Sequence, residues 1–385
     1  MRNFKKAVCL GLVSVMTLSM LSGCGSKTSS SSDKFMIGGI GPTSGGAAIY
    51  GQAVKNGAEL AIKEINEAGG INGTQIEFKF EDDEHDAEKS VNAYNTLKDW
   101  GMNILMGTVT STPCIAVADK TNADNIFQLT PSGSSVDCVK NDNVFQVCFS
   151  DPNQGIASAK YIGENKIATK VAAIYDSSDV YSTGIFEKFQ QEAATQGLEI
   201  VAAESFTADS KSDFSVQIQK AKDAGAELVF LPIYYQEATL ILKQADSAGF
   251  KPIFFGCDGL DGILGVENFD VALAEGTMLL TPFAADAQDE KTQKFVKAYS
   301  DAYKDTPNQF AADAYDAIYI IKAAIEEAKV TPKDGSSKIC DALKPAMTKI
   351  SVDGLTGEAM TWAATGEVNK QPKAVTIKNG AYTAN

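Results

Sequence analysis

Histidine is almost absent from this chain: 385 residues contain one, His85. Cysteine is sparse and scattered. Beyond the N-terminal segment it occurs at Cys114, Cys138, Cys148, Cys257 and Cys340, and no two form a C-x-x-C pair. Zinc sites of the usual spacing need clustered Cys and His, so no metal site and no cofactor are expected. The odd count leaves at least one thiol over if the others pair, and most of these residues read as small buried hydrophobes. A Cys–His nucleophile pair would have to use His85. That residue falls in Glu81-Asp82-Asp83-Glu84-His85-Asp86, which reads as a solvated acidic turn and a poor setting for a general base. G-x-S-x-G, H-E-x-x-H and G-x-x-x-x-G-K-[ST] are all missing. Gly38-Gly39-Ile40-Gly41 follows a strand but lacks the G-x-G-x-x-G spacing of a dinucleotide loop. Together these absences argue against an enzyme. Missing internal repeats argue against a structural surface array.

Positive charge is also short. Lys and Arg number 34 against 49 Asp and Glu, for a net charge of −15. Such a surface disfavours nucleic acid and anionic lipid as partners. Three of the positive groups, Arg2, Lys5 and Lys6, precede an uncharged apolar run from Ala7 to Met20. That run is too short to span a bilayer and has the flanks of a signal-peptide core. Without this leader the side-chain charge is about −18. After the leader no apolar segment is long enough to span.

Leu21-Ser22-Gly23-Cys24 follows the apolar run and resembles the bacterial lipobox. That resemblance implies a signal peptide over 1–23, with Cys24 diacylated through sulfur as the first mature residue. Residues 24–34 are Ser-rich, have nothing to bury and read as a flexible tether; fully extended, the run from Gly25 to Lys34 reaches roughly 30 Å. The expected location is the cell membrane, facing outside the cytoplasm, with contact to the membrane through the lipid anchor only.

The rest of the chain has a globular composition, 44% hydrophobic and 22% charged, and alternates strand and helix patterns. Strands are expected at Phe35–Ile40, Ile76–Phe80, Ile104–Met106 and Ile126–Thr130. Helices are expected at Tyr50–Ala68, Asp86–Trp100 and Thr112–Asn122. The alternation restarts after Asp151-Pro152, with helices at Gln154–Glu164, Thr183–Gln196, Asp213–Ala224 and Glu237–Ala248. Its strands are Lys170–Tyr175, Ile200–Glu204, Leu228–Pro232 and Pro252–Gly256. Helices at Glu290–Lys304 and Phe310–Ala328 follow, and a last strand near Ala374–Ile377. Repeated βα units imply parallel sheets covered on both faces. The expected fold is α/β, two doubly wound parallel-sheet lobes joined by a multi-strand hinge. Ligands of such sheets bind beyond the carboxyl ends of the strands, where the loops here are rich in hydroxyls, tyrosines and glycines.

These loops, in this order, resemble the solute-binding proteins of branched-chain amino-acid ABC transporters. The carriers are Ile37–Gly45 with Tyr50-Gly51, Gly57–Ala61, Ile65-Asn66, Gly69–Gly73, Glu81–Asp83, Thr130-Pro131-Ser132 and Asp313–Ala317. The resemblance covers nearly the whole mature chain and implies a type I periplasmic-binding-protein fold with the ligand cleft between lobes. It implies one lobe from 35–150 plus about 281–360, and a second from 151–280 plus about 361–385. It also implies a monomer that captures a small amino acid, of the leucine/isoleucine/valine kind, by lobe closure and delivers it to ABC permease transmembrane subunits. A sensory protein of the same fold, or a binder of another amino acid or an amide, remains open.

The resemblance assigns a pocket. Ser111 and Ser134 would bind the ligand carboxylate, Ser134 also helping with the ammonium. The Ser132 carbonyl would receive an ammonium proton and Asp258 would pair with the ammonium from the second lobe. Tyr181 and Tyr234 would close over the ligand, while Tyr50, Val109, Thr110 and Phe310 would flank its side chain. Tyr235 would face away. The physical logic agrees: Ser111 precedes Thr112-Pro113 at an expected helix N-terminus, where a carboxylate is favoured, and a zwitterion needs one acid besides neutral donors. The plainer readings are an N-cap for Ser111 and a turn residue for Asp258. For Glu81-Asp82-Asp83 the expectation is a solvated loop, and for Trp100 and Trp362 a core or rim position. Some family members join the positions of His85 and Thr110 by a disulfide, which this sequence cannot form, and Ser134 replaces a commoner threonine.

Overall fold

The computed structural model describes residues 33–384; the expected signal peptide and lipidation at Cys24 lie outside them. β1 (Phe35–Gly41) is buried along its whole length, as a central parallel strand covered on both faces must be. α1 (Ala48–Glu67), β2 (Ile76–Asp82), α2 (Ala87–Trp100), β3 (Ile104–Gly107), α3 (Ser111–Asp124), β4 (Phe127–Thr130) and β5 (Val144–Gln146) follow. They build a five-stranded sheet of order β2-β1-β3-β4-β5, parallel throughout.

The second run comprises α4 (Asp151–Glu164), β6 (Lys170–Asp176), α5 (Val180–Thr195), β7 (Glu199–Phe206), α6 (Ser215–Asp223), β8 (Leu228–Leu231), α7 (Tyr235–Ser247) and β9 (Ile253–Gly256). β10 (Met278–Thr281) completes its parallel part. α8 (Glu290–Tyr303), α9 (Gln309–Ala328) and α10 (Ser336–Met347) come next, then the antiparallel strands β11 (Lys373–Lys378) and β12 (Ala381–Ala384). The second sheet has the order β12-β11-β10-β9-β8-β6-β7. The architecture is α/β, with two doubly wound, mostly parallel sheets, as expected from the sequence.

The chain leaves the first sheet after Gln146, returns beside it after Thr281, and rejoins the second sheet at Lys373. The return is held by α9 on α1. A Cβ on Gly57 would sit 2.1 Å from the Ala311 carbonyl oxygen, so only glycine admits this helix approach. Lys370 fixes the last crossing. It is 1% exposed and reaches Asp313 on α9 at 2.8 Å and Thr356 at 2.6 Å, while Asp316 receives the Leu355 and Thr356 amides.

Some boundaries differ from those read in the sequence. α4 starts at Asp151 instead of Gln154, because Pro152 falls in its first turn, where proline costs nothing. α5 starts at Val180 instead of Thr183, because the Asp179 side chain accepts the Tyr181 amide as N-cap. β5, β10 and β12 are only three or four residues long, too short to show a period. α10 has helical spacing in Ile339, Leu343, Ala346 and Met347, with Pro345 inside it, and the sequence reading missed it.

Candidate functional site

The strand ends of both sheets converge. The loop after β3 brings Val109, Thr110 and Ser111, and the loop after β4 brings Ser132 and Ser134. Tyr50 comes from α1 and Phe310 from α9. From the other sheet come Tyr181 on α5, Tyr234 after β8 and Asp258 after β9. All ten line one cavity together with Gly259, which the sequence reading missed. Its free volume is about 10 Å³, room for about one water, so the walls must part before anything larger enters.

Ser111 is the first residue of α3 and not its cap. Thr110 occupies the cap position without a side-chain capping bond. The amides of Ser111 and Thr112 therefore have no carbonyl one turn back within the helix, and Pro113 has no N–H. The Ser111 hydroxyl accepts the Ser135 amide at 3.2 Å, which leaves its proton free to donate. Free amides, a free hydroxyl and the helix dipole suit a carboxylate. The Ser132 hydroxyl is already spent: it donates to the Val109 carbonyl at 2.6 Å. Thr130 likewise donates to the Thr108 carbonyl at 2.6 Å, so the two loops are locked side by side. Ser134 is 1% exposed, and its carbonyl accepts the Asp151 amide at 2.9 Å.

The opposite wall is acidic and aromatic. Asp258 is 4% exposed, accepts the Tyr181 hydroxyl at 2.7 Å and donates its amide to Gln154 at 3.1 Å. Burial pushes its carboxyl up to about 7, against the pull of the Tyr181 and Gln154 bonds. Tyr181 and Tyr234 stack at 4.9 Å, and Tyr50 meets Phe310 at 4.2 Å. The Tyr50 hydroxyl donates to the Gly259 carbonyl and accepts the Tyr235 amide at 3.2 Å, so α1 of the first sheet is tied to loops of the second. Tyr235 does not line the cavity; its hydroxyl accepts the Ile49 amide at 3.3 Å.

Two expectations are corrected. The acidic stretch is neither wholly a loop nor simply solvated: Glu81 and Asp82 end β2, and Asp83 is fully buried. Burial, ahead of repulsion from Asp82 and Asp86, pushes its carboxyl up to about 7. His85 is half-buried, with Nδ1 2.8 Å from the Thr110 hydroxyl and its ring edge-on to Tyr234 at 5.3 Å. The cause is local. Asp82 accepts the Thr43 and Glu84 amides, and Glu84 and His85 adopt positive φ values of 50° and 61°, which turns the chain inward. Burial and the Lys211 charge lower His85 to about 4.

The sequence reading also missed Asp151, Gln154 and Asp179. Asp151 is 2% exposed; burial, only partly offset by the Ser134 side chain, holds its carboxyl well above the ordinary range. Burial likewise raises Asp179 to about 6. Asp151-Pro152 was visible as a boundary, but nothing in its type marks it as a site residue. The five cysteines Cys114 to Cys340 are free and buried. Trp362 is 4% exposed and donates to the Gln146 carbonyl, while Trp100 packs on the rim of a small core cluster. Among the described residues no three His, Cys, Asp or Glu side chains gather in a way that could hold a metal, and no helix is long and apolar enough to cross a membrane.

An oriented hydroxyl and free amides on one side, with a buried acid on the other, complement a small molecule carrying a carboxylate and an ammonium. The family model described as periplasmic binding protein matches residues 34–381. A Leu/Ile/Val-binding protein homologue of Brucella melitensis is 32% identical over 342 residues, 86% of this chain and 88% of that protein. A leucine-, isoleucine-, valine-, threonine- and alanine-binding protein of Pseudomonas aeruginosa is 29% identical, over 82% of this chain and 83% of its own length. The branched-chain amino acid transporter substrate-binding protein of Streptococcus pneumoniae, solved with isoleucine, superposes with a TM-score of 0.83 at 29% identity. That match covers 91% of this chain and 98% of the other.

Proposed function

The chain belongs to the periplasmic binding protein family, and from that premise we propose that it captures a leucine-, isoleucine- or valine-like amino acid outside the cytoplasm and delivers it to an ABC permease. The observation that carries this reading is the convergence of the ten residues that the family resemblance singles out on a single buried cavity. Ser111 and Ser134 would hold the carboxylate at the start of α3, and the Ser132 carbonyl and Asp258 would hold the ammonium. An ammonium beside Asp258 would restore its charge through a charge-assisted hydrogen bond in a dry site. Tyr50, Val109, Thr110 and Phe310 would surround the side chain, and Tyr181 and Tyr234 would cover it.

A cavity of about 10 Å³ cannot admit an amino acid without movement. We therefore assign residues 35–150 plus about 281–370 to one lobe, and 151–280 plus about 371–385 to the other, with closure about the crossings as the binding step. The last break falls later than the one near 360 read in the sequence, because Trp362 and Gly366 still hydrogen-bond Gln146 of β5. Ligand shifts the open–closed balance only by its differential affinity for the closed form. The protein acts as a monomer, tethered to the membrane through acylated Cys24. A sensory protein of the same fold would use this same site, while a binder of another small solute is separated by a thermal-shift screen of residues 33–385, unfolded and refolded to strip ligand. Leucine at a hundred times its dissociation constant adds about 2.7 kcal/mol and raises the midpoint. A shift with a sugar or an amide, and none with any amino acid, overturns the amino-acid assignment.

A further inference from the structure

We propose that His85 is a positioning residue of this binding site, which as a neutral imidazole joins Thr110 on one wall to the Tyr234 ring on the other and so helps hold the cleft shut. The inference rests on the reading of the cavity as the ligand site. Its geometry is independent of that reading. His85 follows β2 of the first sheet and Tyr234 follows β8 of the second, so their edge-on contact at 5.3 Å crosses between the halves of the molecule. On the same ring, Nδ1 lies 2.8 Å from the hydroxyl of Thr110, a residue of the cavity wall. The turn that presents the ring is itself pinned, because the His85 amide donates to Asp83 at 3.0 Å.

A second cavity of about 320 Å³ lies outside this contact. Tyr234 lines both cavities, and His85 and Thr112 line the outer one. The imidazole and the phenol ring thus form part of the partition between the inner site and an outer, acidic vestibule. When the halves part, Tyr234 leaves the imidazole and water reaches it.

This arrangement couples closure to the proton on His85. The charged groups around the ring are Asp83, Glu84 and Asp86 on its own turn, and Asp176, Asp179, Lys211 and Glu237 from the other half. Closure buries the ring and brings Lys211 toward it; both effects oppose protonation and outweigh Asp176 and Asp86. An opened, hydrated His85 returns toward an ordinary pKa of about 6.5. Between that value and about 4 the open form holds the proton and the closed form does not, so acid favours opening.

The test is calorimetric titration of leucine into the whole chain, stripped of ligand, at pH 7.5 and 5.5, for the unaltered protein, His85→Ala and His85→Gln. Expected at pH 7.5 is an affinity about tenfold weaker for His85→Ala, partly restored in His85→Gln, whose amide can still reach Thr110. Lowering the pH to 5.5 should weaken the unaltered protein about tenfold more than either variant, the factor that follows from the two pKa values. A merely structural role would not create that difference in pH profile, and circular dichroism confirms that each variant is folded. Equal affinities and parallel pH profiles for all three proteins overturn the proposal. No saturable leucine binding by the unaltered chain overturns the amino-acid reading and this inference together, whereas leucine binding indifferent to His85 overturns the inference alone.

Discussion

The Tyr181 hydroxyl donates to Asp258 at 2.7 Å, and this one hydrogen bond positions the acid that faces the Ser111 end of α3. Asp258 is nonetheless destabilising on its own, because burial outweighs the bonds it receives and lifts its carboxyl to about 7. Asp258→Asn should therefore act with opposite signs on stability and on binding. At pH 7.5 the ligand-free variant should melt higher than the unaltered protein, having lost a buried charge. Its affinity for leucine should fall by about 2–5 kcal/mol, the usual cost of breaking a buried charged hydrogen bond. Melting curves without ligand and calorimetry with leucine read the two effects separately.

Ser111 and Ser132 look alike in sequence and differ in what their hydroxyls do. The Ser111 hydroxyl accepts an amide and has its proton to spare, while that of Ser132 is committed to the Val109 carbonyl. Ser111→Ala should weaken ligand binding by about 1.5–3 kcal/mol, as for a hydrogen bond to a charged group, with little change in melting. Ser132→Ala should cost about 1 kcal/mol of stability and much less affinity. Urea denaturation beside leucine titration distinguishes them.

Stability should depend on pH in an unusual direction. Asp83 and Asp258 are raised to about 7, and Asp179 and Asp261 to about 6, all chiefly by burial. Each native carboxyl keeps its proton after the unfolded one, near 3.9, has lost it. Their contribution is complete below about pH 4 and is lost as pH rises through 6 to 7. His85 acts the other way, its contribution lost as pH falls from about 6.5 toward 4. It is one closed-form group against these four carboxyls, with Asp151 raised in the same direction, and in the open form its hydrated ring contributes nothing. The ligand-free midpoint should be higher at pH 5.5 than at 7.5, and added leucine should narrow the gap by favouring ionised Asp258. Calorimetric scans at the two pH values test this; a higher midpoint at 7.5 without ligand would contradict it.

Lys370 offers a test of the last crossing. Its ammonium is buried against Asp313 and Thr356, with Asp316 binding the same loop. Lys370→Met leaves Asp313 buried without its cation and should cost about 3–5 kcal/mol, read as a lower urea midpoint. Replacing Asp313 by Leu in the same protein should recover part of that loss, because removing both charges is far cheaper than orphaning one.

Much of this was legible in the sequence. The βα alternation located most of the strands and helices, and parallel sheets place their ligand loops at the strand ends; within those loops it was the family resemblance that singled out Ser111, Ser132, Tyr234 and Asp258. The buried acids were not legible. Whether Asp83, Asp151 or His85 meets water depends on what packs over it, and those neighbours come from distant segments such as Tyr234. The segment between Gly262 and Glu290 was opaque for another reason. It consists of short 3₁₀ turns and the four-residue strand β10, too brief to show a period.

The central claim is that the cavity between the Ser111 and Asp258 walls holds a branched-chain amino acid. The direct measurement is calorimetric titration of leucine into the ligand-stripped chain at pH 7.5, beside 4-methylpentanoate and 3-methylbutylamine, which lack the ammonium and the carboxylate in turn. The account requires saturable binding of leucine at one site per chain, and binding of each truncated compound weaker by at least about 2 kcal/mol. Leucine that releases no heat, or that binds no better than either truncated compound, would contradict it.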